Sequence, residues 1–142
     1  QELDTGAKMV HLAPDTTSLI TSKSLSKAGG SSIYRSAIYI GPEAKGSKAS
    51  VSCDGLMLDN KSRSDTIPAM EIHTDECAVG HEAKIGRISG DAIFYLMSRG
   101  ISEEEARTMI VSGFANPVSK ELPLEYAVEM NNLIRLEMKG NM

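Results

Sequence analysis

The 142 residues are 41% hydrophobic and 24% charged, enough apolar material to bury roughly two-thirds of the unfolded chain's surface without a disulfide staple. Aromatic residues make up 4%, with no Trp, and the net charge is −4; so few rings and no broad cationic field exclude a base-stacking nucleic-acid platform. No apolar run approaches the ~20 residues of a membrane span, no basic-then-apolar leader opens the chain, and two cysteines, Cys53 and Cys77, suit a reducing compartment where thiols stay free. The chain begins at Gln1 rather than Met, so a piece of a longer protein or a processed product is expected.

Residues 1–88 show no helical period. Short apolar runs (Met9 to Leu12, Leu19-Ile20, Ile33 to Ile40, Val51 to Leu58, Ile67 to Ile72) are separated by Ser, Thr, Gly and Lys. Ile38 and Ile40 flank Tyr39 as a half-buried strand requires. Gly29-Gly30, Gly41-Pro42 and Asp59-Asn60 supply turn chemistry. Many short strands with no helix between them predict an all-β domain. A sandwich, a barrel and a stacked solenoid all stay open, because no hexapeptide or nonapeptide repeat selects among them.

From Ser89 the pattern turns helical, which sets the expected boundary: strands over 1–88, helices over 89–142. Ser89 is a candidate N-cap for a helix with Ile93, Phe94 and Met97 on one face, stopped by Gly100. Ser102 followed by Glu103, Glu104 and Glu105 reads as a capping box, with acids at the positive end of the helix dipole. Its predicted stripe is Ala106, Met109, Ile110 and Phe114, and Asn116-Pro117 is expected to end it or begin the next turn. A third helix opens at Pro123-Leu124 with Tyr126, Met130 and Leu133 on one face and Ala127 and Ile134 alongside. Segregated strands and helices mean α+β, or a β domain with a helical appendage.

The soft-ligand residues lie between positions 53 and 82: Cys53, His73, Cys77, His81 and Glu82. Thiolate, imidazole and carboxylate together suit iron or zinc. There is no C-x-x-C and no H-x-x-x-H pair, so no closed zinc module is predicted, and Ile85 stands where a zincin would place its second His. On an extended strand Cys77 and His81 would share a face ~13 Å apart, too far to hold one ion. A metal site would then draw its ligands from neighbouring strands or from another chain. The plain alternative is that each Cys is a small buried hydrophobe and His81 a hydrogen-bonded structural residue. No G-x-S-x-G elbow and no P-loop occur. Glu103 to Glu105 is explained by helix capping, and the helix Met residues by core filling.

The order of these words resembles a known family. Lys8-Met9-Val10-His11, Tyr34-Arg35, Cys53-Asp54-Gly55-Leu56-Met57-Leu58, Ser64-Asp65-Thr66-Ile67-Pro68 and His81-Glu82-Ala83 stand in the first part. Phe94 to Glu104, Gly113-Phe114 and Leu122 to Glu129 follow. From about Lys8 to Gly140 the chain resembles the SufB/SufD family of scaffolds in the SUF iron–sulfur cluster assembly system. Within that family it is most similar to the C-terminal part of the SufB branch, which the Glu of His81-Glu82-Ala83 favours. The resemblance implies the end of a right-handed parallel β-helix (a β-solenoid) followed by about three α-helices. It implies a SufD-like partner, or self-association, at the β-helix end, and the SufC ATPase at the helical domain. No ATP site is then needed in this chain. It implies that Cys53, His81 and Glu82 contribute to a transient nascent iron–sulfur cluster, with Cys53 and His81 as iron ligands. Cys77 matches no family cysteine. The family protein is about three times longer, and its upstream sulfur-receiving Cys is absent here. A bacterial or archaeal cytoplasm is the expected compartment, a plastid the alternative.

The leading reading is therefore a non-enzymatic scaffold, with no nucleic-acid or membrane partner. An enzyme on a β-helix, such as an acyltransferase or polysaccharide lyase, would need an acid–base constellation or a cleft that the sequence does not offer. A structural interaction module with inert cysteines is the other rival.

Overall fold

Six strands fill the first unit, which spans Gln1–Arg87: β1 (Glu2–His11), β2 (Thr17–Ser26), β3 (Ser31–Ile40), β4 (Ser47–Met57), β5 (Arg63–Ile72) and β6 (Cys77–Arg87). They come from a computed structural model that describes residues 1–139. Successive strands alternate between two sheets ordered β1-β3-β5 and β2-β4-β6, and every pairing is parallel. Two strands make one coil, so the unit is three stacked coils of a parallel β-helix. Register partners stand 29 to 32 residues apart, as in Glu2 opposite Ser31, Ser31 opposite Arg63, Thr17 opposite Lys48 and Ser47 opposite Cys77. The repeat is thus a whole coil of about thirty residues, which no hexapeptide search detects. The turns at Gly29-Gly30, Gly41-Pro42 and Asp59-Asn60 all fall between strands as expected. Strand β6 was not among the expected runs: Gly80, Glu82, Lys84 and Gly86 dilute its apolar signal.

The middle coil makes the core. Along β4, Ser47, Ala49, Val51, Cys53 and Gly55 point inward and are buried. They meet Ile20, Ile38, Ile40 and Ala44. Ile40 and Val51 are essentially sealed from solvent, and burial of each such side chain stabilises the fold by about 1.5–3 kcal/mol. The outer strands β1 and β5 bury far less. Sheet edges therefore stay open at both rims of the solenoid among the described residues.

The interior is divided by chemistry. Because β3 and β4 are joined by a short turn, the end of one faces the start of the other, and Ile38, Ile40, Ala49 and Val51 pack together there. At the opposite end, inward positions carry hydroxyls: Ser24 and Ser64 are hydrogen-bonded at 2.9 Å, and Ser26, Ser32 and Ser62 are buried.

Two polar clamps hold the turns. Buried His11 is hydrogen-bonded through Nδ1 to Thr16 Oγ1 at 2.6 Å and through Nε2 to Ser18 Oγ at 2.8 Å; Thr16 Oγ1 in turn meets Ser47 Oγ of the next coil at 2.8 Å. At the other corner, Asp59 accepts the backbone N–H groups of Lys61 and Ser62 and the Ser62 hydroxyl at 2.7–2.8 Å. The Ser62 hydroxyl oxygen also accepts the N–H of Gly29 from the preceding coil. Gly46 is left-handed at φ +71, and a Cβ there would run into the Asp15 carboxylate of the neighbouring corner.

The second unit, Ile88–Met142, holds α1 (Gly90–Met97), α2 (Glu103–Lys120) and α3 (Leu124–Lys139). Ser89 caps α1 by accepting the Ala92 N–H, Ser102 caps α2 by accepting the Glu105 N–H, and Gly100 takes φ +86 after α1. The predicted faces need correction. Ile93 is buried, but Phe94 and Met97 are exposed. On α2 the buried residues are Ala106, Val111, Ala115 and Ser119, while Met109 is exposed. On α3 Ala127, Met130 and Ile134 turn inward and Tyr126 and Leu133 outward. Small side chains allow close packing of α2, and that contact outweighs the larger residues beside them. Nor does α2 end at Pro117: it runs to Lys120 with Pro117 inside. Pro removes one backbone donor, and the flanking buried Ala115 and Ser119 keep the last turn docked. No described helix is long and apolar enough to cross a membrane.

The Asp59 carboxyl is lowered from 3.8 to about 2, first by the Lys61 N–H and then by the Ser62 hydroxyl. Its folded value lies below its unfolded one, so its contribution is present above the unfolded value and is lost as pH falls toward about 2. Asp59→Asn is expected to lower the melting temperature at neutral pH. Thermal melts from pH 6 downward should show that gap closing between about pH 4 and pH 2.

Candidate functional site

Cys53 sits on the inward face of β4, 4% exposed and free of any disulfide. Its coil neighbours in register are Ser22 on β2 and Ala83 on β6. His81 lies on β6 opposite Val51. Register partners in a parallel sheet share a face, so His81 also points inward, one coil on and one step diagonal from Cys53. Strand geometry puts the two Cα positions about 8 Å apart, a span that a thiolate and an imidazole bridge around one ion or small cluster.

The three histidines differ in how their nitrogens are used. His11 has hydroxyl partners on both, and exposed His73 holds Glu71 at 2.8 Å. His81 Nε2 is buried and has no hydrogen-bond partner. Such an atom costs free energy unless something occupies the space before it.

Glu82 does not join this pair. It stands opposite Ser52 on the outer face of the sheet, largely exposed, with its carboxylate 2.8 Å from Lys84 Nζ. No bulge re-aims it. Cys77 faces inward at the far end of β6, opposite Ser47, with Sγ donating to the Thr74 carbonyl at 3.3 Å and its side chain against the apolar core. Cys77 and His81 are thus separated along one strand as the extended geometry requires. Among the described residues no three of His, Cys, Asp and Glu converge. Cys53 and His81 are thus neighbouring inward donors, a thiol and an imidazole. This donor set fits a site completed by sulfide or by another chain.

The opposite sheet contributes residues that spacing alone does not reveal. Tyr34 packs against the cluster that contains Cys53. Burial raises its phenol above the ordinary value and the Cys53 charge adds to that. Thr66 is the register partner of Tyr34, and its Oγ1 is the second buried polar atom with no partner. The coil repeat of about thirty residues, once recognised, would have aligned Tyr34 with Thr66 and Ser22 with Cys53. Beyond Cys53 the lumen narrows at Gly55, where a Cβ would stand 2.5 Å from Ser64 Oγ and 3.2 Å from Ser24 Oγ.

The SUF system FeS cluster assembly SufBD core domain model matches residues 1–114. The chain belongs to the SufBD family. An iron–sulfur cluster assembly SufBD family protein of Staphylococcus aureus strain USA300 is 57% identical over 141 residues, covering 99% of this chain and 30% of that protein. The iron–sulfur cluster assembly protein SufB of Bacillus subtilis strain 168 has the same identity and coverage. The chain thus spans 30% of the length of these SufBD relatives.

Replacing Gly55 with Ala sets a methyl group against the Ser24–Ser64 hydrogen bond. The expected cost is about 1–3 kcal/mol, read as a fall in the denaturation midpoint. Ser64→Ala in the same background should recover part of it by removing the clashing oxygen.

Proposed function

We propose that this chain forms part of a scaffold on which a nascent iron–sulfur cluster is held within the SUF system, with Cys53 and His81 as its inward ligands. Family membership supports the system, and one observation carries the site: an unpartnered, buried imidazole nitrogen on the same inward face as a buried thiol one coil away. The cluster is cargo here rather than a resident group. An incomplete ligand set suits a site that must release what it builds. The reading is of a scaffold and not of an enzyme.

Glu82 belongs to a different face and serves a partner's side in this reading. A SufD-like subunit, or a second copy, would meet the open β5 and β6 rim, where unpaired strand edges recruit another chain. The SufC ATPase would meet the helices, whose exposed apolar residues include Phe94, Tyr95, Leu124, Tyr126 and Leu136. The second reading, an interaction module with inert cysteines, draws support from the packing of Cys53 in the apolar cluster.

Anaerobic reconstitution with ferrous iron and sulfide separates the two. Cys53→Ala and His81→Ala are each expected to lose at least about fivefold in retained iron while folding cooperatively, in line with removal of a ligand. Cys77→Ala should match the parent. Glu82→Gln should keep iron in the isolated chain and lose yield only when the SufD-type subunit is present. Parent-like iron in Cys53→Ala would establish the inert-cysteine reading.

A second measurement addresses the helices. Phe94→Asp combined with Leu124→Asp alters exposed positions only, so the fold should hold. Capture of the SufC-type ATPase is expected to fall about tenfold or more, as when interface anchors are removed; unchanged capture would remove the helical faces from the interface.

A further inference from the structure

Cys53 and His81 form one wall of the lumen. The other wall, on the β1-β3-β5 sheet, carries Tyr34 and Thr66 side by side on the last two coils. Tyr34 packs on the cluster that contains Cys53. Its phenol supplies an O–H that can donate. Thr66 places a hydroxyl in the interior with nothing to bond to. Elsewhere in this lumen hydroxyls find each other, as Ser24 finds Ser64 and Thr16 finds Ser47. Here they do not, and the two orphaned atoms stand on opposite sheets, Thr66 on β5 and His81 on β6. Buried donors left open in an otherwise satisfied interior mark space for a polar occupant.

The geometry points to Tyr34 and Thr66 as positioning residues of this site: two hydroxyls that donate hydrogen bonds to sulfur held at Cys53 while making no bond to metal. The role rests on the reading of Cys53 as the working thiol. Hydrogen bonds to a coordinated thiolate draw charge off the sulfur, orient it and tune the bound metal. Tyr34 and Thr66 would thus fix the direction in which the Cys53 sulfur presents its lone pairs to an incoming iron.

Anaerobic titration of the full chain with cobalt(II), a spectroscopic stand-in for ferrous iron, tests this. The difference from Cys53→Ala isolates the Cys53 thiolate-to-metal charge-transfer band. Tyr34→Phe and Thr66→Val each remove one donor at nearly constant shape. Each is expected to move that band to lower energy, the double variant further, with cobalt affinity weakened up to about tenfold and thermal midpoints near the parent. Thr66→Ser should restore the parent band. A Cys53-dependent band that keeps its position and intensity in both single variants and the double would overturn the inference, the hydroxyls then meeting only solvent, while leaving Cys53 as a ligand. A spectrum unaffected by Cys53→Ala would instead overturn the reading on which the inference rests, and the inference with it.

Discussion

Each coil of the strand unit is held to the next by backbone hydrogen bonds in parallel register, and a slip of one residue would turn every inward side chain outward. The outer faces carry their own markers of that register. Asp4 meets Arg35, Lys23 meets Asp54 and Lys45 meets Glu76, each at 2.6–2.9 Å and each one coil apart. The two exposed pairs, Asp4–Arg35 and Lys45–Glu76, add little stability, while Lys23–Asp54 is partly buried. Their value here is as a penalty on wrong registers, where like charges would oppose one another. The corner clamps of His11 and Asp59 do the same work inside and at the turns, because both reach across coils.

Register also decides what the interior can do. One end of the lumen is filled by Ile20, Ile38, Ile40 and Val51 and is closed to chemistry. The other end is lined by hydroxyls and pinched at Gly55. Cys53 stands between these regions, next to Val51 on one side and Gly55 on the other along its strand face. A thiol there is shielded from solvent yet has polar neighbours. His81 stands on the last coil, one step diagonal from Cys53, with its Nε2 buried and unpartnered.

The helical unit follows a different logic. Its ends are written locally, in the side chains of Ser89 and Ser102 and in Gly100, because capping bonds span only three residues. Its faces are not local. Periodicity on α2 fits either the Met109 side or the Val111 side, and the close approach allowed by Ala106, Ala115 and Ser119 selects the latter. What remains outside includes the exposed apolar side chains Phe94, Tyr95, Leu124, Tyr126 and Leu136.

The sequence by itself determined the change of grammar from strands to helices near Ser89, the turn positions, the helix caps, the thiol and imidazole as the residues worth watching, and the family. These are properties of neighbouring residues or of word order, and they survive without knowledge of the fold. It also implied that, if extended, Cys77 and His81 could not share an ion, because strand rise would separate them. Composition and spacing did not reveal β6 or the coil period, because the repeat spans about thirty residues and its glycines and charges blur the alternation. Only the tertiary structure decided that Cys53 and His81 share an inward face while Glu82, next in sequence to His81, faces out. Only it placed Tyr34 and Thr66 on the opposing wall and left Nε2 of His81 and Oγ1 of Thr66 without partners. The reason is physical: a strand's own residues set which side chains alternate, but the pairing of distant coils sets which of them meet.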